Sequence, residues 1–250
     1  DENNNGVDYE LSLAADSSRA TPVQLNQIGD FVISGNVLSG ISAQGFAKLA
    51  SGGVTPTSNS EIKVDFAVAI PNSVTSINAG AFSGCSTMVT IALPFVGGSA
   101  TATSASASTL FGYIFGTTSY TGATSITQYY NGSSTARYYI PNKLTSVRIT
   151  GGTVHFGAFY GCRYITSVFV GANVTSIGER AFQGCSALTN ISIDNGITSI
   201  GASAFVRTAI TSISIPSSVK QIGEGAFNNV TTLSAVLITD LNAWVAIQFA

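Results

Sequence analysis

Hydrophobic positions along this chain follow two periods at once. Over short stretches apolar residues alternate with small or polar ones, as at Ile91 and Leu93, Val147 and Ile149, Val168 and Val170, Ile191 and Ile193, Ile213 and Ile215, and Val236 and Ile238. Period two over so few residues, with β-branched types at the inward positions, predicts short strands buried on one face. On the longer scale the whole pattern recurs: Phe159, Phe182, Phe205 and Phe227 are 23, 23 and 22 residues apart, and Phe46 and Phe82 join the same column. Five residues before each Phe stand Ile41, Ile77, Val154, Ile177, Ile200 and Ile222; three after stand Leu49, Cys85, Cys162, Cys185, Thr208 and Val230. A unit this short cannot bury its own apolar face, so the units must stack, share one core and turn these columns into internal ladders.

The architecture that follows is a β-rich repeat solenoid, with short parallel strands forming a narrow sheet on one side. The Ala-Phe-x-Gly-Cys stretch makes turns and short helical segments on the other, convex side. Residues 1–30 read as an N-terminal tether and the start of a cap, and residues 31–250 as one solenoid domain. Within it Phe31, Val32, Ile33, Val37 and Leu38 make an irregular first rung, residues 51–60 a small polar insertion, and Ile62, Val64, Phe66, Val68 and Ile70 an alternating strand. An irregular insertion fills residues 95–143. A cap fills residues 239–250, where Asp240 is placed to N-cap a short helix carrying Leu241, Trp244 and Val245 at helical spacing.

The unit as a whole resembles a known pattern. Ile70-Pro71-Asn72-Ser73-Val74-Thr75-Ser76-Ile77, Ala81-Phe82-Ser83-Gly84-Cys85-Ser86 and Ala181-Phe182-Gln183-Gly184-Cys185-Ser186-Ala187-Leu188 are similar to units of the BspA-type leucine-rich repeat proteins. The likeness covers roughly residues 62–94 and 144–238. It implies a curved leucine-rich repeat solenoid on the surface of bacteria or certain protozoa, of a kind discussed as an adhesin. Insertions with a Phe-Gly-Tyr-Ile-Phe phrase and endings with an Asp-x-x-x-Trp phrase also occur in relatives of this family.

Composition narrows the function classes. Charged residues make up only 9% of the chain, far below the ~25% usual in soluble domains, and the net charge is −2. No clustered Lys/Arg stripe argues for nucleic acid, and no uninterrupted apolar run of about 20 residues predicts a membrane span. The chain begins Asp1-Glu2-Asn3-Asn4-Asn5-Gly6 without a Met, a basic region or an apolar stretch. This start reads either as the polar tether that follows a lipid-anchoring cysteine or as a trimmed boundary.

Catalytic and metal chemistry find little support. Cys85, Cys162 and Cys185 share one column with Leu49, Thr208 and Val230, so they read as buried free thiols, not as a disulfide framework or zinc ligands. His155 is the sole histidine and reads as a tolerated surface residue; the carboxylates are scattered, and no Gly-x-Ser-x-Gly elbow occurs. Gly223 and Gly225 lack the third glycine of a dinucleotide fingerprint and read as turn residues. No cofactor and no enzymatic activity are expected.

Binding candidates lie in two places. The insertion opens with a low-complexity stretch, residues 97–108, that reads as an exposed loop, and then gathers Phe111, Tyr113, Phe115, Tyr120, Tyr129, Tyr130, Tyr138 and Tyr139. One reading packs Phe111-Gly112-Tyr113-Ile114-Phe115 as a satellite core beneath the insertion. The other exposes tyrosines as a contact patch, with Tyr129 and Tyr130 preferred because Gln128, Asn131, Gly132, Ser133 and Ser134 look solvated. On the strand face the outward positions are mostly Ser, Thr and Asn, leaving Arg148, Phe169, Asp194 and Leu237 as the side chains with reach. The expectation is a cell-surface or extracellular module that binds a host or neighbouring-cell protein. The alternatives are glycan binding through stacked tyrosines and a structural spacer.

Overall fold

The computed structural model describes residues 21–249; of residues 1–30, expected as a tether and the start of a cap, positions 1–20 lie outside them. Short strands stack in parallel along one side of a coil, with Val23–Leu25 beside Phe66–Ala69, then Met88–Leu93, Ser146–Val154, Ser167–Ile177 and Asn190–Ile193. The pair Ser212–Ile215 and Ala235–Ile238 continues the same pattern. Register is set by the period-two pattern, since a one-residue slip would turn the buried set outward. Val147, Val168 and Ile191 therefore lie side by side, as do Ile149, Val170 and Ile193, and all six are buried. A second, shorter ladder follows in each unit, joining Ser176–Ile177 to Ser199–Ile200, Gln221–Ile222 and Gln248–Phe249.

Opposite the strands, each unit makes a tight turn about its ladder Phe. The residues two before it, Gly80, Gly157, Arg180, Ser203 and Gly225, and two after it, Gly84, Gly161, Gly184, Arg207 and Asn229, all have φ between +54° and +84°. Two left-handed residues bracketing one right-handed stretch reverse the chain without a helix. Short helical segments, expected on this side, are replaced by hydrogen-bonded turns in the regular units. Helix forms at Ala43–Lys48 in the first unit, where Ser42 Oγ accepts the Gly45 N–H. The turns also bond to one another: Phe159 N–H donates to Ala181 O at 2.7 Å, Phe182 to Ala204 O and Phe205 to Ala226 O, both at 2.8 Å.

The Phe rings stack in consequence. Phe159 and Phe182 have centroids 5.0 Å apart, Phe182 and Phe205 5.5 Å, and Phe205 and Phe227 5.4 Å, with interplanar angles of 13°, 2° and 9°. These spacings are close to the ~4.8 Å between strands, so one rise per turn suits both sides of the coil.

The insertion enters this stack. Phe111–Phe115 is a 3-10 helix, not a satellite core: Phe111 N–H donates to Ala158 O at 2.8 Å and Phe82 N–H to Ile114 O at 2.9 Å. Phe111 lies 4.6 Å from Phe159, and Phe111, Ile114 and Phe115 are buried within the single core of the coil. Low-complexity residues 97–108 are only partly a loop. Gly97 and Gly98 are buried, because a Cβ on Gly98 would meet the Tyr113 ring at 2.4 Å, while residues 100–104 reach solvent.

The ends differ. At the N-terminal end the first rung is an antiparallel hairpin of Phe31–Ser34 and Val37–Ile41, pinned by the fully buried Asp30, whose carboxylate meets Lys48 Nζ at 2.7 Å. At the other end Asp240 accepts the N–H groups of Asn242 and Ala243 and caps Leu241–Val245 as expected. That short helix leaves Leu241 and Val245 exposed, and the strand Ala235–Ile238 before it keeps Val236, Leu237 and Ile238 exposed as well.

Candidate interaction surface

On the strand face, register brings Arg148 and Phe169 directly opposite each other, with Ala92 on one flank and Ser192 on the other. The Arg148 guanidinium carbon sits 3.6 Å from the centroid of the Phe169 ring, within cation–π distance. Both residues are half-buried. Asp194 follows the next strand, two positions beyond Ser192, where its N–H donates to Val170 O at 2.9 Å. Leu237 stands opposite Ser214, on the strand Ala235–Ile238, and its 57% exposure reflects the free edge of that strand. Of the four strand-face candidates, only Arg148 and Phe169 meet.

The tyrosine candidates lie on an antiparallel hairpin, Ala123–Tyr129 and Thr135–Pro141. Its tip is closed by Asn131, whose side-chain oxygen accepts the N–H groups of Ser133 and Ser134. Asn131, Gly132 and Ser133 are exposed, but Tyr129 and Tyr130 are half-buried. The Tyr129 ring leans on Tyr160 at 4.8 Å with a 58° tilt, and a Cβ on Gly157 would overlap Tyr129 O. The two rings form no flat platform.

Gln128, read as solvated, is fully buried. Its Oε1 accepts the Gly112 N–H at 2.8 Å and its Nε2 donates to Ala158 O at 2.9 Å, so one amide ties hairpin, 3-10 helix and neighbouring turn together. Its signal in the sequence is parity with Ile126, two residues earlier on the same inward face of the strand, which its polar type and the polar residues after it conceal. Tyr138 is buried with its hydroxyl donating to Ala107 O at 2.9 Å, and burial raises its pKa to about 12. Tyr120 donates to Tyr139 O at 3.0 Å. These tyrosines serve the interior of the insertion.

The turn side carries further rings and cations that column-by-column reading passes over. Arg163 and Tyr164 are exposed, and Phe156, Tyr160 and Arg180 are half-buried. Their signal was available in the sequence: Arg180 and Arg207 stand where other units carry Gly. Charge is also unevenly spread. Residues 123–207 contain six Lys/Arg and two Asp/Glu, so the rest of the chain holds the remaining four and ten, and +4 and −6 sum to the net −2.

The concave features are explained by packing. A cleft of about 110 Å³ lies between residues 95–102 and the strands, lined by Ser99, Thr153, Thr175 and His155. There His155 Nε2 meets Ala102 O at 3.1 Å, and burial lowers the imidazole pKa. His155 is thus a half-buried pin for the loop. A shallow groove runs over Gly178, Gly201 and Gly223. A Cβ on Gly201 or Gly223 would approach the preceding turn's backbone to 2.4 Å, so close stacking, and not turn geometry, requires Gly223.

The thiols of Cys85, Cys162 and Cys185 are free and buried. Burial pushes all three pKa values up, Cys185 to about 12, and the Cys185 thiol donates to Phe159 O at 3.1 Å. Among the described residues no group of three His, Cys, Asp or Glu side chains is placed to hold a metal. No described helix is long and apolar enough to cross a membrane.

Three bacterial structures resemble this coil. A leucine rich repeat protein of T. pallidum aligns at 21% identity and TM-score 0.41, over 74% of this chain and 73% of that one. A leucine rich cell surface protein of Faecalibacterium prausnitzii A2-165 aligns at 23% identity and TM-score 0.38, over 74% and 63%. A leucine-rich repeat protein of Bacteroides ovatus ATCC 8483 aligns at 17% identity and TM-score 0.28, over 73% and 62%. No curated protein sequence matches the chain. The model of the BspA type leucine rich repeat region matches six copies over residues 65–150 and 152–243. With its ladders, turns and stacked rings accounted for by that repeat, the chain belongs to the BspA-type leucine-rich repeat family.

Proposed function

We propose that this protein is a non-enzymatic, cell-surface or extracellular binding module, adhesin-like in use, whose strand face docks a host or neighbouring-cell protein. The observation that carries this reading is the Arg148–Phe169 stack. It is a rigid pair with large contact area, standing on a face otherwise lined by small hydroxyl side chains such as Ser167, Ser192, Ser212 and Ser214. Arg and aromatic residues held in one rotamer lose little entropy on binding, which makes such pairs energetic centres of protein interfaces. Family membership supports both the interaction role and the surface location. The tilted Tyr129–Tyr160 pair gives the glycan alternative no stacking platform.

The test is a binding screen of the purified chain against extracellular-matrix proteins, with a glycan array alongside. Two double variants serve as controls, Arg148→Ala with Phe169→Ala, and Tyr129→Ala with Tyr130→Ala. A protein hit lost in the first pair and kept in the second supports the strand face. Loss only in the second moves the site to the hairpin, and a glycan hit without a protein hit overturns the reading.

A further inference from the structure

Rings and guanidinium groups form a strip on the turn side, away from the strand face. Phe156, Tyr160 and Tyr164 come from one turn, and the hairpin lays Tyr129 against Tyr160 at 4.8 Å. From the next turn, Arg180 holds its guanidinium 5.6 Å from the Phe156 ring, while Arg163 lies 5.8 Å from the ring of Tyr164. The carboxylate that meets this strip is Glu179, whose Oε1 is 3.4 Å from Arg180 Nε. The Arg180 and Glu179 side chains are 38% and 46% exposed, so water screens the pair and leaves the arginine available to a better-placed acceptor.

Charge says what this strip suits. Among the described residues, positions 123–207 carry six Lys/Arg and two Asp/Glu, net +4, whereas the others carry three and five, net −2. Within the strip itself Arg163 and Arg180 stand against the one carboxylate of Glu179, so an acidic segment is attracted to it. Arg180 has φ 54° where Gly80, Gly157 and Gly225 stand in other turns, a strain that Ser203 shares at φ 56°.

We propose that this strip is a second binding surface, taking an acidic, extended segment of a partner protein. Arg163 and Arg180 receive its carboxylates, and the Phe156, Tyr160 and Tyr129 rings receive its side chains. The planar fork of a guanidinium suits bidentate pairing with carboxylates. The 58° tilt between Tyr129 and Tyr160 offers no parallel platform for sugars or bases, which favours a peptide.

Fluorescence anisotropy tests this with a labelled decapeptide of alternating Glu and Gly, its Lys-Gly counterpart, and a labelled heparin fragment, each at low and at high salt. The Glu peptide is expected to bind, to weaken with salt, and to lose about tenfold in affinity in each of Arg163→Ala and Arg180→Gly. The Lys peptide is expected not to bind. Arg180→Gly also relieves the left-handed strain, so a raised Tm in that variant certifies that lost binding is not lost folding. The variant Arg148→Ala with Phe169→Ala, on the strand face, should leave peptide affinity unchanged, so this surface and the strand-face reading can fail separately. Absence of Glu-peptide binding, or binding untouched by Arg180→Gly, overturns the proposal. So does binding lost with the strand-face variant, or Arg180-dependent binding of heparin without the peptide.

Discussion

The regular array of residues 154–230 and the insertion of residues 95–143 bury their apolar groups in the same core by opposite means. In the array each position is solved once and repeated: Phe stacks on Phe, strand pairs with strand, and turn bonds to turn. In the insertion nothing repeats, and single side chains carry the connections, with Gln128 bridging three segments and Tyr138 and Tyr120 reaching lone carbonyls. The difference teaches where energy is concentrated. A repeat spreads it over identical neighbour contacts, whereas the insertion concentrates it in a few buried polar groups whose loss leaves partners unsatisfied.

The largest blow to the array should come from Phe182→Ala, which empties a fully buried site between two stacked rings. A loss of about 4 kcal/mol is expected in urea unfolding. The half-buried end ring should matter less, so Phe227→Ala losing as much as Phe182→Ala would break the picture of a stack weakened only at its end. Next, Gln128→Leu keeps the volume but strands the Gly112 N–H and the Ala158 carbonyl, for about 2–3 kcal/mol. Amide exchange should show the insertion opening before the array in that variant, and uniform exchange would mean the two regions are not separable.

A smaller effect has the opposite sign. Arg207 has φ 58° where Gly84, Gly161 and Gly184 stand in other turns. Arg207→Gly should therefore stabilise by about 0.5–1 kcal/mol after the entropy of the added glycine is counted, seen as a raised urea midpoint. The smallest effect belongs to His155. Its folded pKa is lowered from 6.5 by burial, so the folded state resists protonation more than the unfolded chain does. Stability is then full above about pH 6.5 and falls as pH drops below it. The Tm should decline slightly between pH 7 and pH 5, and His155→Gln should remove that part of the slope.

The array was legible in the sequence because its physics is periodic: Ile177, Phe182 and Cys185 announce one another through spacing alone. The two turns about each Phe were partly legible, since Gly marks them in most units, and Arg180, Ser203, Arg207 and Asn229 become readable only once the columns are set side by side. The insertion was not legible in the same way. That Phe111 continues the ring stack depends on a hydrogen bond to Ala158, a residue 47 positions away, and no period relates the two. Gln128 was misread because its polar type outweighed its position: it shares the inward face of its strand with Ile126, and its amide is buried for the sake of its partners. Pairing of Arg148 with Phe169 required the register, which the sequence implies but does not number.

One consequence lies in the place where the insertion joins the coil. Met88–Leu93 and Ser146–Val154 are bonded directly on the strand side, while on the turn side the Phe111–Phe115 segment lies between the turns centred on Phe82 and Phe159. Three layers on one side face two on the other, so the extra thickness acts as a keystone. It fixes the angle between the strands that precede it and those that follow. The direction in which the Arg148–Phe169 pair faces, relative to the first rungs, is then set from behind by a segment that never reaches their face.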